Sequence, residues 1–254
     1  MQVKDSVGIV TGGAGGLGAG VVRMLVENGG KAVILDLPSS RGKDLAAELA
    51  DAALFVPTDV SDADQVEAAV TTAVAHFGKV DLAVNAAGIS PAHRVVDRKG
   101  EMFPMDMWQR TLDINLTGAF DVLRNVALAM SKNVPGQDAE RGLIVNVASA
   151  AGLEGQAGQA AYTASKGALV QLTLQLARDL AIHGIRVMTV APGIMDTPML
   201  QGLDDKRKSE LVDLHVFPKR LGSAEDFARL VRCFMEITLL NGELVRLDAA
   251  TRLG

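Results

Sequence analysis

Short apolar runs alternate along the chain with longer segments in which apolar residues recur at helical spacing. The runs have the length of β-strands, and they lie at 7–10, 32–35, 53–56, 82–84, 143–147, 186–190 and 244–247. The helical segments lie at 16–28, 41–49, 61–77, 108–130, 158–182 and 224–235. Such alternation predicts parallel strands joined by right-handed crossovers. The sequence therefore predicts one α/β domain over residues 1–254, a Rossmann fold with a doubly wound, seven-stranded parallel sheet and helices on both faces.

Three polar segments interrupt this pattern, at 90–104, 131–141 and 200–218. The first and third follow the carboxyl ends of strands, where open α/β sheets bind ligands, so we expect them to border a substrate. The third is expected to be helical in part. The apolar residues within and just before the third segment could contact an apolar substrate or could pack into the core, and the sequence favours neither. They are Ile194, Met195, Met199, Leu200, Leu203, Leu214, Val216 and Phe217.

The composition narrows the class of protein. The 254 residues carry a net charge of −5, which argues against nucleic acid or an anionic membrane as an obligatory partner. The apolar runs fall short of the roughly 20 residues that span a bilayer, so a soluble protein is expected. Because the first strand pattern begins within a few residues of Met1, no signal peptide or arginine-rich transit peptide is expected. We expect a cytoplasmic protein, with an uncleaved organelle address as the open alternative.

Cysteine and histidine give little sign of special chemistry. The one cysteine, Cys233, excludes an intramolecular disulfide, and its apolar neighbours predict a buried position on a helix. The four histidines show no ligand spacing, so no metal site is predicted; they are His76, His93, His183 and His215.

A glycine-rich turn follows the first predicted strand and opens the first predicted helix. Its pattern from Thr11 to Gly18 is T-G-x-x-x-G-x-G. Glycines permit a tight turn and let backbone N–H groups approach a pyrophosphate at a helix N-terminus. The turn therefore indicates a dinucleotide site, although glycine-rich turns also occur for packing alone.

Asp36 ends the second predicted strand, 18 positions beyond Gly18. A carboxylate at this place accepts hydrogen bonds from ribose hydroxyls and repels a 2′-phosphate, which predicts NAD rather than NADP. Arg41 could hold such a phosphate, but it lies further along and is expected to be a solvated residue at a helix start.

Two further strand ends belong to the same edge of the sheet. Asp59 and Val60 could flank an adenine, or Asp59 could be a turn residue, and the sequence favours neither. The small residues from Asn85 to Gly88 let the backbone lie close to a ligand.

Tyr162 and Lys166 lie four residues apart in a predicted helix, so both side chains can address one site. A tyrosine beside a fixed cation favours its phenolate, the form that removes the proton of an alcohol. Ser149 follows the fifth predicted strand. Gln159, one helical turn before Tyr162, could touch a substrate carbonyl or have only a surface role. Together with the glycine-rich turn, these residues indicate a nicotinamide-dependent oxidoreductase.

The motifs stand in an order that resembles the short-chain dehydrogenases/reductases along almost the whole chain. They are T-G-x-x-x-G-x-G, Asn85-Ala86-Ala87-Gly88, Asn115, Ser149, Tyr162-x-x-x-Lys166 and Pro192-Gly193. Ala86 stands where many relatives have a second asparagine. Segments at 154–162, 184–189 and 239–248 resemble more closely a branch of the family that acts on fatty acyl-CoA, steroid and related alcohols.

The resemblance implies a role for each matching residue. Tyr162 would be the general acid/base, Ser149 would bond the substrate oxygen, and Lys166 would hold the nicotinamide ribose and lower the tyrosine pKa. Asn115 would shape its helix around a water that relays protons to Lys166; from the sequence alone it could equally cap or bond within the helix. The implied cofactor contacts are Gly12, Gly15, Gly16, Leu17, Gly18, Asp36, Asp59, Val60, Asn85, Ala86, Gly88, Tyr162, Lys166, Pro192, Met195 and Thr197.

The implied reaction is the NAD-dependent interconversion of 3-hydroxyacyl-CoA and 3-ketoacyl-CoA by a homotetramer, with Ser149 and Gln159 on the substrate. Two alternatives stay open: the same chemistry on a steroid, sugar or other small alcohol, and a non-catalytic NAD-binding scaffold subunit. Arg94, Arg98 and Lys99 could meet CoA phosphates or could belong to a solvated loop.

Overall fold

The computed structural model describes residues 1–200 and 204–252. Its sheet has seven strands in the order β3-β2-β1-β4-β5-β6-β7, and every neighbouring pair is parallel. The strands are β1 (Val7–Thr11), β2 (Lys31–Asp36), β3 (Ala53–Pro57), β4 (Leu82–Asn85), β5 (Gly142–Val147), β6 (Ile185–Pro192) and β7 (Leu244–Leu247). The predicted doubly wound sheet is confirmed.

Helices connect the strands and cover both faces of the sheet. They are α1 (Gly16–Glu27), α2 (Gly42–Leu49), α3 (Ala63–Phe77), α4 (Met105–Leu112), α5 (Ala119–Met130), α6 (Ala151–Glu154), α7 (Ala160–Leu180), α8 (Asp205–Asp213) and α9 (Ala224–Glu236). Helices α4 and α5 are joined by a π-helical segment, Asp113–Gly118. None of the helices among the described residues combines the length and apolarity needed to cross a lipid bilayer.

The core is divided into two layers by the sheet. On one face, Val10, Ile34 and Val145 pack against α1 and α9, and on the other, Ile9 and Ile144 pack against α3, α5 and α7. Because successive side chains of a strand point to opposite faces, both sides of β1 and β5 are buried. This double burial explains why the strands read as continuous apolar runs.

The bounds of most observed elements agree with the predicted ones within two residues, and some differences have an identifiable cause. Strand β6 extends to Pro192, because its ladder with β7 continues beyond the apolar run. The short α6 was not predicted, and the predicted helix at 108–130 begins earlier and contains the π-helical segment. The polar segment at 200–218 is helical in part, as predicted, through α8. Leu203 lies outside the described residues.

The prediction that Cys233 is buried is wrong, since its side chain is exposed. The buried face of α9 is formed by Phe227, Val231, Phe234 and Met235. These residues recur at helical spacing, and Cys233 is two positions after Val231, about 200° around the helix. Apolar neighbours in sequence therefore do not place it on the apolar face.

The sheet topology fixes where a ligand can lie. Strand β1 has β2 on one side and β4 on the other, so the chain winds outward in both directions from β1. Such a reversal opens a crevice at the carboxyl ends of the two central strands. The glycine-rich turn after β1 and the residues that follow β4 lie at this crevice.

Candidate active site

Hydrogen bonds and close backbone contacts hold the glycine-rich turn against the segment that follows β4. Thr11 Oγ1 accepts hydrogen bonds from the backbone N–H groups of Ala86 and Ala87, both at 3.1 Å. Gly12 has a φ of +62°, and a Cβ there would lie 2.9 Å from the Ala87 nitrogen. A Cβ on Gly18 would lie 2.3 Å from the Gly12 oxygen. These two glycines therefore allow close backbone packing, which was the structural alternative for the motif.

Two further glycines of the turn, Gly15 and Gly16, face an open cleft. Gly15 caps the N-terminus of α1, and the nearest atom to a Cβ there would be Pro198 Cγ at 3.9 Å. A Cβ on Gly16 would meet Thr197 and Pro198 at 3.5–3.6 Å. The first turn of α1 carries no acidic side chain, so its N–H groups and the helix dipole favour an anion. The cleft between α1 and the segment after β6 thus fits a pyrophosphate, and Leu17 beside it packs partly into the core.

Asp36 lies at the side of the glycine-rich turn. Its carboxylate accepts hydrogen bonds from the N–H groups of Ala14 at 3.0 Å and Leu37 at 2.8 Å. The side chain remains partly exposed at the end of β2, where a ribose bound over the turn would lie. Arg41 is exposed just before α2 and makes no capping hydrogen bond, as expected for a solvated residue.

Asp59 has the turn role that the sequence left open. One oxygen of its carboxylate accepts hydrogen bonds from the Ser61 N–H at 2.9 Å and the Ser61 hydroxyl at 2.6 Å. Its own N–H donates to Gln65 Oε1 at 3.0 Å. Val60 is buried, and its carbonyl would lie 2.5 Å from a Cβ on Gly118. The side chain of Asp59 is therefore part of the turn that leads into α3.

The structure directs the side chain of Asn85 into the protein rather than to the cleft. Asn85 is buried, and its amide donates to the Ala119 carbonyl at 3.1 Å and to Asn146 Oδ1 at 3.0 Å. It ties β4 to β5 and to α5, which leaves only its backbone for a ligand. Gly88, by contrast, is exposed, and a Cβ there would lie 3.4 Å from Lys166 Nζ.

Lys166 is a buried cation on α7. The side chain is 4% exposed, and its Nζ donates to the Val147 carbonyl at 2.7 Å and lies 5.8 Å from the centre of the Tyr162 ring. Burial lowers the pKa of Lys166 from 10.5 to about 8, because the charged form loses water. The i, i+4 spacing on α7 brings Tyr162 and Lys166 to one site, as predicted.

The pKa of Tyr162 is raised from its ordinary value, because the phenol is buried, while a hydrogen bond with Ser149 lowers it. Sequence reasoning predicted a lowered pKa beside the ammonium, and for the chain by itself this is wrong. The effect of burial is larger than that of the Ser149 hydrogen bond, and Lys166 Nζ bonds to the Val147 carbonyl instead of the phenol. The Ser149 hydroxyl also accepts the Ala151 N–H at 3.1 Å.

Asn115 joins the π-helical segment to two other parts of the site. Its Oδ1 accepts the Ile89 N–H at 2.8 Å, and its Nδ2 donates to the Ile89 carbonyl at 2.9 Å and to Ser165 Oγ at 3.2 Å. Ser165 in turn donates to the Tyr162 carbonyl at 2.8 Å. Ser165 was not among the predicted site residues. Its signal was a small polar residue three positions after Tyr162, on the same face of α7.

Gln159 lies where the loop after β4 meets the start of α7. Its Oε1 accepts a hydrogen bond from Ser90 Oγ at 3.1 Å, and its backbone forms a bridge with His93. These contacts hold the N-terminal end of α7 against the loop after β4. Pro192 ends β6, whereas the side chain of Met195 is buried in the core and leaves only its backbone for a ligand.

One loop holds a group of possible metal ligands that histidine spacing did not reveal. His93, Asp97 and Glu101 each offer a ligand atom, and these atoms lie within 4.8 Å of one another. The exposed Arg94, Arg98 and Lys99 lie in the same loop and oppose a cation there. The absence of a metal site stays a prediction.

Comparison with known proteins agrees with this geometry. The family model described as short chain dehydrogenase matches residues 6–208. The human protein 3-hydroxyacyl-CoA dehydrogenase type-2 is 47% identical over 253 residues, which cover 99% of this chain and 97% of that protein. The crystal structure of 3-hydroxyacyl-CoA dehydrogenase type-2 from Mycobacterium avium has a TM-score of 0.93 and 41% identity, covering 98% and 97% of the two chains.

A more distant solved structure contains a cofactor. It is 3-ketoacyl-(acyl-carrier-protein) reductase from Brucella melitensis complexed with NADH, with a TM-score of 0.85 and 27% identity, covering 98% of this chain and 99% of that one.

Proposed function

This chain belongs to the short-chain dehydrogenase family, and on that premise we propose that it interconverts 3-hydroxyacyl-CoA and 3-ketoacyl-CoA with NAD. Membership makes it an oxidoreductase with a nicotinamide dinucleotide as cofactor. The observation that carries the proposal is the meeting of Ser149, Tyr162 and Lys166 beside the cleft at the α1 N-terminus. The acyl-CoA substrate is inferred from relatives such as the human protein.

Each residue of the site has a separate role in the proposed reaction. When bound, the nicotinamide supplies or accepts the hydride. Tyr162 gives a proton to the substrate oxygen during reduction and removes it during oxidation, and Ser149 donates a hydrogen bond to the same oxygen as its charge grows. Lys166 would hold the nicotinamide ribose beside them. Asn115 keeps the Ile89 segment and α7 in a fixed relation through its three hydrogen bonds.

Because Tyr162 is buried, its protonation state in the proposed reaction depends on the charge of the bound cofactor. Because burial raises the pKa of the Tyr162 phenol, the chain alone favours the protonated form, which is the acid needed for ketone reduction. Oxidation of an alcohol needs the phenolate, and a cationic ring beside the phenol favours it. The site is thus suited to protonate a ketone oxygen with reduced cofactor and to accept a proton with oxidised cofactor.

The proposed cofactor is NAD, with Asp36 as the discriminating residue. We expect Asp36→Ala to lower the ratio of kcat/KM for NADH over NADPH by about tenfold or more, because the variant no longer repels a 2′-phosphate. The measurement is the initial rate with each cofactor at a saturating ketone. Asp44→Ala is the matched control, since Asp44 is an exposed carboxylate in the first turn of α2. An unchanged ratio in Asp36→Ala would contradict the assignment.

The test of the substrate is NADH oxidation with acetoacetyl-CoA, beside a keto-steroid and a free keto-sugar. We expect turnover with the thioester at a kcat/KM of about 10⁴ M⁻¹s⁻¹ or more and much slower turnover with the sugar. Turnover of another ketone alone would keep the mechanism and remove the acyl-CoA assignment. Silence on every carbonyl, with NADH bound, would favour a non-catalytic scaffold.

Exposed apolar side chains support the proposed acyl-CoA substrate and the proposed homotetramer. Exposed apolar side chains occur in the chain that follows β4 and in the chain that follows β6, and they are Val95, Val96, Met102, Met105, Leu214, Val216 and Phe217. This composition suits an acyl chain better than a sugar.

Phe120 and Leu128 on α5 and Leu174 on α7 are also exposed, which supports the proposed homotetramer. We propose that residues 1–254 act as one domain and need no nucleic acid or membrane partner.

A further inference from the structure

The chain between Ser149 and Tyr162 brings two of the proposed catalytic hydroxyls to one place, so its position decides the geometry of the site. The segment starts with the Ala150 N–H donating to the Pro192 carbonyl at 2.9 Å, and then forms α6. Helix α6 has four residues, and a helix this short is not stable by itself. It must therefore be held by the rest of the protein.

One support for α6 is direct backbone contact with α7. A Cβ on Gly152 would lie 2.8 Å from the Lys166 carbonyl carbon and 2.9 Å from the Gly167 nitrogen. A Cβ on Gly167 would lie 3.1 Å from the Gly152 oxygen. The two glycines let α6 rest on α7 beside Lys166. Such contact limits how near α6 can come but does not prevent it from moving away.

The second support is a chain of alternating charges that reaches α6 from the carboxyl end of β7. Glu154 at the end of α6 pairs with Arg246 at 2.6 Å, and Arg246 pairs with Asp248 at 2.6 Å. Arg246 also donates to the Thr251 carbonyl at 2.9 Å. The three charged side chains are only 17%, 24% and 7% exposed. Ion pairs this sheltered are weakly screened by water and salt.

The same charges lie against the segment that follows β6. A Cβ on Gly193 would lie 2.6 Å from Asp248 Cβ, and the Gly193 N–H donates to the Leu247 carbonyl at 2.9 Å. The end of β7 therefore contacts the segment that leads to Thr197 at the cofactor cleft, and through Arg246 it holds the segment that leads from Ser149.

We propose that Arg246 is a positioning residue for the reaction assigned above, and that its ion pair with Glu154 holds α6 so that Ser149 meets the substrate oxygen and Tyr162. The inference rests on the proposed function for its chemistry, while the contacts are those of the chain itself. In the described part of the chain, the ion pairs and hydrogen bonds of the Arg246 side chain go to Glu154, Asp248 and Thr251.

Glu154→Gln is the sharpest variant, because it weakens the link to α6 and keeps the pair between Arg246 and Asp248. We expect kcat to fall by about tenfold or more through misplacement of Ser149, with the NADH dissociation constant within about twofold of wild type. The pH at which alcohol oxidation reaches half its maximum should rise, since the Ser149 hydrogen bond lowers the Tyr162 pKa. Arg246→Gln in the same background should add little to the loss of kcat.

Glu140→Gln is the matched control. Glu140 forms a buried ion pair with Arg186 at 2.6 Å, and both lie by the first residues of β5 and β6, at the opposite end of the strands from Ser149. This variant should lower the melting temperature at least as much as Glu154→Gln, with kcat within about twofold of wild type. Equal losses of kcat in both variants, or an unchanged kcat in Glu154→Gln, would overturn the proposal.

Hydrogen exchange separates this inference from the proposed function. If wild type reduces acetoacetyl-CoA, the kcat values of Glu154→Gln and Glu140→Gln on that substrate test the role of Arg246. If wild type reduces only another ketone, the kcat values of the two variants are compared on that ketone. If it reduces none, the proposed function fails, and exchange of the 149–161 backbone decides for Arg246. Faster exchange there in Glu154→Gln and not in Glu140→Gln supports the proposal, and equal exchange in the two refutes it.

Discussion

Tyr162→Phe is expected to reduce turnover by about a thousandfold or more while NADH still binds with an affinity close to that of wild type. The substitution removes only the hydroxyl that shares a hydrogen bond with Ser149 and keeps the ring that lies 5.8 Å from Lys166 Nζ. Without that hydroxyl, no buried acid delivers a proton to the substrate oxygen. The measurements are kcat with acetoacetyl-CoA and NADH binding by fluorescence.

The neighbouring residue offers a matched control for the loss of a hydroxyl. Thr163 Oγ1 is buried and has no hydrogen-bond partner among the described residues. Thr163→Val removes that hydroxyl with little change in shape, so turnover should stay within about twofold of wild type. Tyr162→Phe with substantial activity would remove Tyr162 from the mechanism. Loss of NADH binding in the same variant would show that the hydroxyl is needed to bind the cofactor, so that the lost turnover would not identify it as the acid.

The fold could be predicted because local pattern and burial agree along the sheet. Strands such as β5 are buried on both faces, and a continuous apolar run follows directly from that burial. Helix α6 could not be predicted, because four residues carry no periodic pattern and depend on Arg246, about 90 residues later in the chain. The π-helical segment likewise contains Asn115, whose partner in a hydrogen bond is the Ile89 backbone, 26 positions away in the chain.

The site could be predicted where chemistry is local to one element. The spacing of Tyr162 and Lys166 fixes their common face on α7, and the structure shows both at one place. The direction of a side chain at a strand end is not local. Asn85 bonds to Asn146 on the next strand, and Met195 is packed in the core, so neither side chain meets the cleft. Residue type at a motif position predicted proximity to the ligand, but not which atoms face it.

The electrostatics of the site also lay beyond the sequence. A tyrosine four residues before a lysine suggests a lowered phenol pKa. Burial instead raises the pKa of Tyr162, and it lowers the pKa of Lys166. Desolvation depends on every atom around the pair, so it follows from packing rather than spacing. The chain holds an ammonium in a place that disfavours its charge, which is typical of a functional site.

Lys166→Met is expected to abolish measurable turnover and, in the absence of cofactor, to make the protein more stable at pH 7. The fall of the Lys166 pKa from 10.5 to about 8 corresponds to about 3 kcal/mol against the charged folded form. The lost hydrogen bond to the Val147 carbonyl costs about 1–2 kcal/mol, so a net gain of about 1–2 kcal/mol remains. Turnover fails because no cation remains to hold the nicotinamide ribose and favour the phenolate.

The dependence on pH identifies the cause of this gain. Below pH 8 the lysine is charged in both the folded and the unfolded wild type, and the full cost of burial applies. Between pH 8 and 10.5 the folded protein binds fewer protons than the unfolded one, so the stability of wild type rises with pH. The advantage of Lys166→Met should therefore be largest at pH 7, vanish at about pH 9 and reverse by pH 10.5, where the lost hydrogen bond remains and the cost of the buried charge is gone. Urea unfolding of both proteins across this range measures it, with Lys43→Met on the exposed face of α2 as the control. A gain that stays constant with pH would show that better packing, and not the buried charge, is responsible.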